Sequence, residues 1–360
     1  MKRTPFYEKH VALGAKLVDF AGFEMPVQYQ SMVAEHMTVR ETAGLFDVSH
    51  MGEFMVTGPQ MVDFVDYATV NDVRGMAIGQ AQYSAMCLEN GGIVDDLLIY
   101  RFVDKFMLVV NASNIEKDWQ HLQKLLQNFD VNMENVSDHM ALLALQGPNS
   151  RDILQQLTDT DLSKIEFYHF TEGLVNSRPM IIARTGYTGE LGYELYHAPE
   201  YSVALWDDLM RAGEAYGLKA TGLGARDSLR LEMKYCLYGN DIDETTTPLD
   251  ARLGWITQLN KKAFFGKTAL DEQIAAGLKR ALIAFEMEER AIPRHGYEIF
   301  IGEEKIGIVT SGGHSPVLGK GIGLGYVNFP FQKTGTPIWI EIRGKKVPAK
   351  IIKPPFVHNQ

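Results

Sequence analysis

The sequence predicts an α+β body followed by a small antiparallel β domain. Three observations carry this. The chain has 360 residues, more than one ordinary core accommodates. Helix and strand signals alternate through its first three quarters. Near Lys279 the texture changes to short β-rich runs with no convincing long helix between them.

Within the body, Ser31 to Gly44 reads as a helix with Val33, Met37 and Val39 on one side and Gly44 as its stop. A stronger helix spans Ser113 to Phe129. Ser113 and Glu116 have capping-box spacing, and Ile115, Trp119, Leu122 and Leu126 share one face. Further helices are expected at 149–157, 198–216 and 267–276, with strands at 97–102, 106–110, 180–184 and 192–196. Beyond Lys279, six β runs follow at 281–286, 298–301, 305–310, 321–327, 338–342 and 347–352, punctuated by Gly, Pro and charged turns. The expected division is therefore a body over 1–278 and a barrel or sandwich over 279–360.

Composition is that of a globular protein, 46% hydrophobic and 22% charged, and no run approaches the ~18 apolar residues of a membrane helix. Met1-Lys2-Arg3-Thr4-Pro5 has no apolar signal core behind it, and Glu8 and Asp19 do not suit an acid-poor transit peptide. Cys87 and Cys236 fit no CxxC pattern and suggest a reduced, cytoplasmic setting. A formal net charge of −10 argues against a broad nucleic-acid footprint but not against a small anionic substrate held by a local cation pair.

Several glycine motifs fail on spacing. Gly313 to Lys320 separates its glycines by five residues and is followed by Gly321, so it is not a phosphate loop. Gly321 to Gly325 lacks GxGxxG spacing, and Gly222-Leu-Gly224 has Asp227 where a third glycine belongs. Neither HExxH nor GxSxG occurs.

Three segments have residue types suited to chemistry. In Gly91-Gly-Ile-Val-Asp95-Asp96-Leu-Leu-Ile-Tyr100, a glycine turn leads into a hydrophobic strand that opens on two acids. Strand alternation sends Asp95 and Asp96 to opposite faces, so one is solvated or turn-bonded while the other faces a cavity. A turn-capping aspartate gives the same grammar. In Arg184-Thr-Gly-Tyr187-Thr-Gly-Glu-Leu-Gly-Tyr193-Glu194-Leu195, three glycines permit close backbone approach, beside flat rings and a carboxylate. That set suits a heteroaromatic ring with amide-like edges, and an ordinary glycine-rich hairpin equally. In Gly222 to Glu232 a loop enters a helix, and Arg226 there suits a ligand carboxylate or a nearby protein acid such as Asp227 or Glu232.

Together with Phe46-Asp-Val-Ser-His-Met-Gly-Glu-Phe54, Leu223-Gly-Ala-Arg-Asp-Ser-Leu-Arg-Leu-Glu232 and Thr310-Ser-Gly-Gly-His-Ser-Pro316, these segments resemble the T-protein of the glycine cleavage system, in order and over nearly the whole chain. The resemblance implies a three-domain cloverleaf around a central folate pocket, ending in an antiparallel β-barrel. It implies transfer of a one-carbon unit from the aminomethyl-lipoyl arm of H-protein to tetrahydrofolate, with release of ammonia and without a metal. It assigns Asp96 as the essential carboxylate, Glu194 to the pterin edge, Tyr187 and Arg226 to the folate, and Asn111 to the pocket close to the key acid. Met51, Tyr83 and Trp255 are its expected walls. The expected protein is a cytoplasmic monomer that meets H-protein transiently and touches neither nucleic acid nor membrane. Family members often add an Arg or Tyr contact in the extreme C-terminal tail, whereas the tail here, Pro354 to Gln360, contains neither.

Two relatives offer other readings. The one-carbon portion of a sarcosine or dimethylglycine dehydrogenase follows a flavin domain, and this chain starts at the folate unit. A non-catalytic folate-binding iron–sulfur assembly factor has K-x-C-Y-x-G-Q-E. The corresponding stretch here is Lys234-Tyr-Cys-Leu-Tyr-Gly-Asn-Asp241, so Cys236 reads as a buried structural thiol.

Overall fold

A computed structural model describes residues 1–358, so Asn359 and Gln360 of the tail and of the expected C-terminal region lie outside the described residues. The chain separates into two compact units. The first comprises residues 1–65, 73–83 and 97–227, and the second residues 66–72, 84–96 and 228–360. The division falls inside two strands, Ala81–Cys87 and Ile93–Arg101.

The first unit is built on a six-stranded mixed sheet. Its order is Phe170–Val175, Arg178–Ala183, Gly192–His197, Ala141–Gln146, Ala43–Asp47 and Leu218–Ala220, with only the last pairing parallel. One face is apolar because alternate residues Leu143, Leu145, Leu195, Ile182 and Leu45 all point to it. That face packs on Ile153, Leu154, Leu205, Trp206 and Leu209 of the helices Ser150–Gln155 and Ser202–Gly213. A five-stranded sheet runs Ala81–Cys87, Ile93–Arg101, Lys105–Val110, Gly52–Thr57, Asn132–Asn135.

The second unit ends in a closed six-stranded barrel whose pairings are all antiparallel. Its strands are Arg280–Met287, Glu298–Ile301, Glu304–Ser315, Lys320–Asn328, Pro337–Ile342 and Lys345–Ile352, so each of the six expected β runs became one strand. Closure removes the exposed edges that short strands would otherwise leave unpaired. Ile283, Phe285, Ile299, Val309, Ile338 and Ile351 fill the interior.

Two local expectations need correction. The first helix runs Met32–Glu41, capped by Ser31, which accepts from the Ala34 amide at 3.2 Å. It does not reach Gly44, which lies in the strand Ala43–Asp47, and Val33 is exposed. The buried side carries Glu35, His36 and Val39 instead. Glu35 is tolerated there because its carboxylate accepts from the amides of Tyr29, Gln30 and Gly222 at 2.7–2.9 Å.

The second helix spans Ile115–Leu126 and has no capping box. Ser113 belongs to a 3₁₀ turn, Ala112–Asn114, and Glu116 takes a bond from Gln120 at 2.6 Å. Of the expected face only Leu122 is fully buried; Ile115, Trp119 and Leu126 are half-buried, Trp119 lying edge-on to Phe54 at 5.3 Å, and the buried side is completed by Asp118, His121 and Leu125. The turn chemistry was outcompeted, and the buried side is rotated from the expected one toward Asp118, His121 and Leu125.

In the second unit the glycine turn before Asp95 has a steric reason. A Cβ on Gly92 would lie 2.0 Å from the Glu244 carbonyl oxygen. The next residue is pinned by the same segment, because the Ile93 amide donates to the Asp243 and Thr246 carbonyls. Gly92→Ala is therefore expected to lose about 1–3 kcal/mol of stability by forcing two backbones apart, measured as a shift in the urea midpoint at unchanged slope.

Candidate active site

The polar interior of the first unit centres on Glu194. The strand Gly192–His197 pairs Glu194 with Ala144 and with Ala183, so both lateral neighbours are small and leave room around the carboxyl group. Thr185 donates to Glu194 Oε2 at 2.5 Å. The Thr185 hydroxyl also meets Tyr100 at 3.1 Å, and Tyr100 meets Tyr196 at 2.9 Å. Burial raises the Glu194 pKa above the usual carboxylate range, opposed by Thr185, the Arg226 guanidinium and Tyr100. The result is a carboxyl group out of bulk water, oriented by a hydroxyl and balanced by a cation.

Arg226 enters from the first turn of the helix Leu223–Glu232. Its guanidinium lies over the Tyr187 ring at 4.6 Å, a cation–π contact that flattens both groups into one surface. Tyr187 comes from the glycine-rich loop, and that loop is shaped by Gln146. The Gln146 amide donates to the Thr185 carbonyl at 3.1 Å and accepts from the Thr188 hydroxyl at 2.8 Å. Cβ atoms on Gly186 and Gly192 would lie 2.1 and 2.2 Å from that amide, so these two glycines are required by close approach. Arg40 ties the far side, donating to the Thr188 carbonyl at 2.7 Å and to Glu190 at 2.8 Å.

Three buried ionisable groups complete this interior. His50 packs edge-on to Phe20 at 5.1 Å, and neither ring nitrogen has a hydrogen-bond partner among the described residues. Burial, reinforced by Arg226 and opposed by Asp47, lowers its pKa to about 3, so it is a neutral imidazole at physiological pH. Just before it, Asp47 accepts from Thr4, His10 and the Ser49 amide. Burial raises the Asp47 pKa, but the contacts from His10, Thr4 and Ser49 outweigh it and leave a net lowering. Glu53 is fully buried with its Oε2 unpartnered, and burial alone raises its pKa well above the carboxylate range.

Of the residues singled out from the sequence, Glu194, Tyr187 and Arg226 are brought together. Met51 sits half-buried in the turn after His50, its amide bonded to the Val48 carbonyl at 3.1 Å. Tyr83 is half-buried on the strand Ala81–Cys87, and Asn111 half-buried where the strand Lys105–Val110 ends. In the second unit, Asp95 is wholly buried and Asp96 half-buried on alternate faces of the strand Ile93–Arg101. Asp96 acts electrostatically on Cys236, whose thiol is pushed up to about 12 chiefly by burial. The segment holding Cys236 is anchored beside this strand by Tyr238, which donates to the Ile93 carbonyl at 3.2 Å. Trp255 is 68% exposed, in a loop of the second unit.

Sequence reasoning missed Thr185, Tyr100, Tyr196 and Gln146. Thr185 and Tyr100 lie inside segments already noted, and the signal for Gln146 was a polar residue closing the apolar run Ala141-Leu-Leu-Ala-Leu-Gln146. Among the described residues no group of three or more His, Cys, Asp or Glu could hold a metal ion, and no helix is long and apolar enough to cross a membrane.

The fold and site thus combine an α+β body, a half-buried carboxyl–tyrosine–arginine cluster and a closed barrel. Comparison with known proteins makes this specific. Residues 6–261 match the GCVT N-terminal domain, and residues 280–358 match the glycine cleavage T-protein C-terminal barrel domain. An aminomethyltransferase of Phocaeicola vulgatus is 51% identical over 360 residues, 99% of each chain. One of Halothermothrix orenii is 49% identical over 99% of this chain and all of its own. The crystal structure of glycine cleavage system aminomethyltransferase T from Bartonella henselae superimposes with a TM-score of 0.93 at 37% identity, covering 100% of this chain and 99% of that one. The chain belongs to the glycine cleavage T-protein family and is an aminomethyltransferase.

Glu53 yields a pH prediction. Its pKa in the folded protein lies above the unfolded value of about 4.3, so its contribution to stability is complete below that pH and is lost as pH rises through the folded pKa. Glu53→Gln removes the titration. The melting temperature of the variant minus that of wild type is expected to grow from about pH 5 to about pH 8, read by calorimetry.

Proposed function

We propose that the one-carbon acceptor is tetrahydrofolate and the donor is the aminomethyl-lipoyl arm of H-protein. In the balanced step the carbon–sulfur and carbon–amine bonds break and two carbon–nitrogen bonds form to the folate. The two folate N–H protons end on the departing ammonia and on the thiol of the dihydrolipoyl arm. No change of oxidation state is needed, so the reaction calls for positioned acids, bases and dipoles.

The observation that carries this reading is the Glu194 cluster. A half-buried carboxyl oriented by Thr185 beside the flat Arg226–Tyr187 pair fits a pterin, whose edge offers adjacent N–H groups and whose face stacks. Glu194 then holds the pterin edge, and Arg226 and Tyr187 support the folate. Asp96 is the general base that accepts a proton from the nucleophilic nitrogen and orients it. Asn111, Met51, Tyr83 and Trp255 serve as further folate contacts. We place the division between body and barrel at 278/279, and the protein in the cytoplasm as a monomer that binds lipoylated H-protein transiently.

Methylenetetrahydrofolate is expected to form, in a coupled dehydrogenase assay, only when protein, aminomethyl-loaded H-protein and tetrahydrofolate are all present. Folate binding without product from an active partner would instead mark a non-catalytic folate-binding protein. Asp96→Asn should lower turnover by roughly 10²–10⁴ with tetrahydrofolate affinity nearly intact, and a variant that keeps most of its turnover removes Asp96 from the base role. Glu194→Gln should act the other way, weakening tetrahydrofolate binding by roughly 10- to 100-fold through loss of a charged acceptor, measured by calorimetry.

A further inference from the structure

Glu53 is a buried carboxyl group for which the transfer step has no use. On the five-stranded sheet, Glu53, Val109 and Leu98 stand directly opposite one another on three neighbouring strands, so their side chains share one face. Met55, Met107 and Tyr100 form the next row of that face. On the six-stranded sheet, Glu194 and Tyr196 alternate with Leu195 and so stand on the side away from the apolar core. The hydrogen bond between Tyr100 and Tyr196 at 2.9 Å joins the two faces, and all of these residues belong to the first unit.

Hydroxyl groups in a row have a direction, because each has a single proton to give. With Glu194 ionised, Thr185 directs its proton to Glu194 Oε2. Tyr100 then points its own toward Thr185, 3.1 Å away, and its oxygen is left to accept from Tyr196. The Tyr196 oxygen ends the chain as an acceptor. Burial above all, with Tyr100, Glu194 and Glu53 adding to it, pushes the Tyr196 phenol well above its ordinary range, so it keeps its proton. Glu53 is thus near enough to act on Tyr196, and its Oε2 has no hydrogen-bond partner among the described residues. A buried carboxyl oxygen in that condition is destabilising and calls for a reason.

The charges on the flanking elements stand away from Glu53. Glu134, Asp138 and His139 are exposed, and Lys105 lies over the Phe102 ring at 4.8 Å. The helix Ile115–Leu126, with Asp118 and His121, packs on the other face of the strand through Trp119 and Phe54. Burial alone acts on the acidity of Glu53, whereas Glu194 also feels Arg226 and Tyr100 also feels Tyr168.

We propose that Glu53 and Tyr196 are positioning residues that set how firmly Glu194 is held as a carboxylate. A neutral Glu53 donates to the Tyr196 oxygen and completes a chain of donors running Glu53, Tyr196, Tyr100, Thr185 into Glu194. An ionised Glu53 can only accept, so it takes the Tyr196 hydroxyl for itself and leaves the Tyr100 oxygen without a donor. Hydrogen bonds in a row strengthen one another in a low-dielectric interior, so the intact chain stabilises the Glu194 charge more than the divided one. This rests on the reading of Glu194 as the folate-binding carboxylate and adds residues that act on it through others.

The test uses full-length wild type, Glu53→Gln and Tyr196→Phe, with tetrahydrofolate affinity measured by calorimetry from about pH 5.5 to about pH 9. A glutamine amide donates to Tyr196 at every pH. Wild type and Glu53→Gln should therefore bind equally at the acidic end, and wild type should fall behind by about tenfold as Glu53 ionises. Tyr196→Phe cuts the chain. It should bind about tenfold more weakly than wild type at the acidic end and converge on it at the alkaline end. Ionisation of the ligand is common to all three proteins and cancels in these ratios, and each variant gives its own ratio, so either one decides. Difference infrared spectra across the same range should show a protonated-carboxyl band in wild type that Glu53→Gln lacks.

Ratios that stay constant with pH, while Glu194→Gln still weakens tetrahydrofolate binding, assign Glu53 and Tyr196 to packing and overturn this proposal alone. A wild type that binds no tetrahydrofolate, or binds it independently of Glu194, overturns the Glu194 reading and this proposal with it.

Discussion

The Gln146 carboxamide is the contact on which the Glu194 side of the first unit depends. It ends a strand whose other residues are apolar and buried, and it is itself buried. A buried amide of this kind costs roughly 1–3 kcal/mol for each hydrogen bond left unmade, so the loop must supply a carbonyl and a hydroxyl. Thr185 and Thr188 do so, and in wrapping the amide the backbone comes too close for any residue but glycine at 186 and 192. The glycine pattern of the loop is therefore the imprint of a glutamine forty residues earlier. The same wrapping fixes Thr185 against Glu194 and presents Tyr187 to Arg226.

The second unit repeats this logic with charges. Arg230 is essentially inaccessible, and its guanidinium donates to Asp241 at 2.8 Å, to Ser311 at 2.9 Å and to the Tyr235 carbonyl at 3.0 Å. Asp241 also accepts from Thr310 at 2.5 Å, while Ser315 donates to Glu232 at 2.5 Å. The Thr310-Ser-Gly-Gly-His-Ser315 stretch is thus a barrel strand whose hydroxyls satisfy the polar end of the helix Leu223–Glu232. Removing one partner of such a buried pair leaves an uncompensated charge, which is far costlier than the pair is stabilising. That asymmetry holds helix end and barrel strand in register.

How legible was all this beforehand? The six barrel strands were readable because each is a short apolar run bounded by strong turn residues, and neither feature depends on distant contacts. The helix Ile115–Leu126 was readable for the same reason, though its buried side, with Asp118 and His121, was not. The Ser113–Glu116 capping box was not realised, because a 3₁₀ turn consumed the serine and Gln120 took the glutamate. Glu35 and Glu53, both buried, contradict the expectation that carboxylates face water, and only the amides gathered around Glu35 explain its case. Glu194, Arg226 and Tyr187, singled out from the sequence, lie close together in the first unit, yet Tyr100, Thr185 and Tyr196, which orient Glu194, look in the sequence like ordinary strand residues.

The sequence by itself determined the α+β body, the closing β domain and the family to which the chain belongs. Those follow from local periodicity, turn residues and motif order, which survive without knowledge of what packs on what. Only the tertiary structure decided which polar groups are buried and who satisfies them: the amide inside the glycine loop, the hydroxyl on Glu194, the neutral imidazole of His50. The physical reason is that desolvation is a property of the environment and not of the residue. A carboxyl group acquires its charge state from neighbours that are a hundred positions away in the chain and a few ångströms away in space.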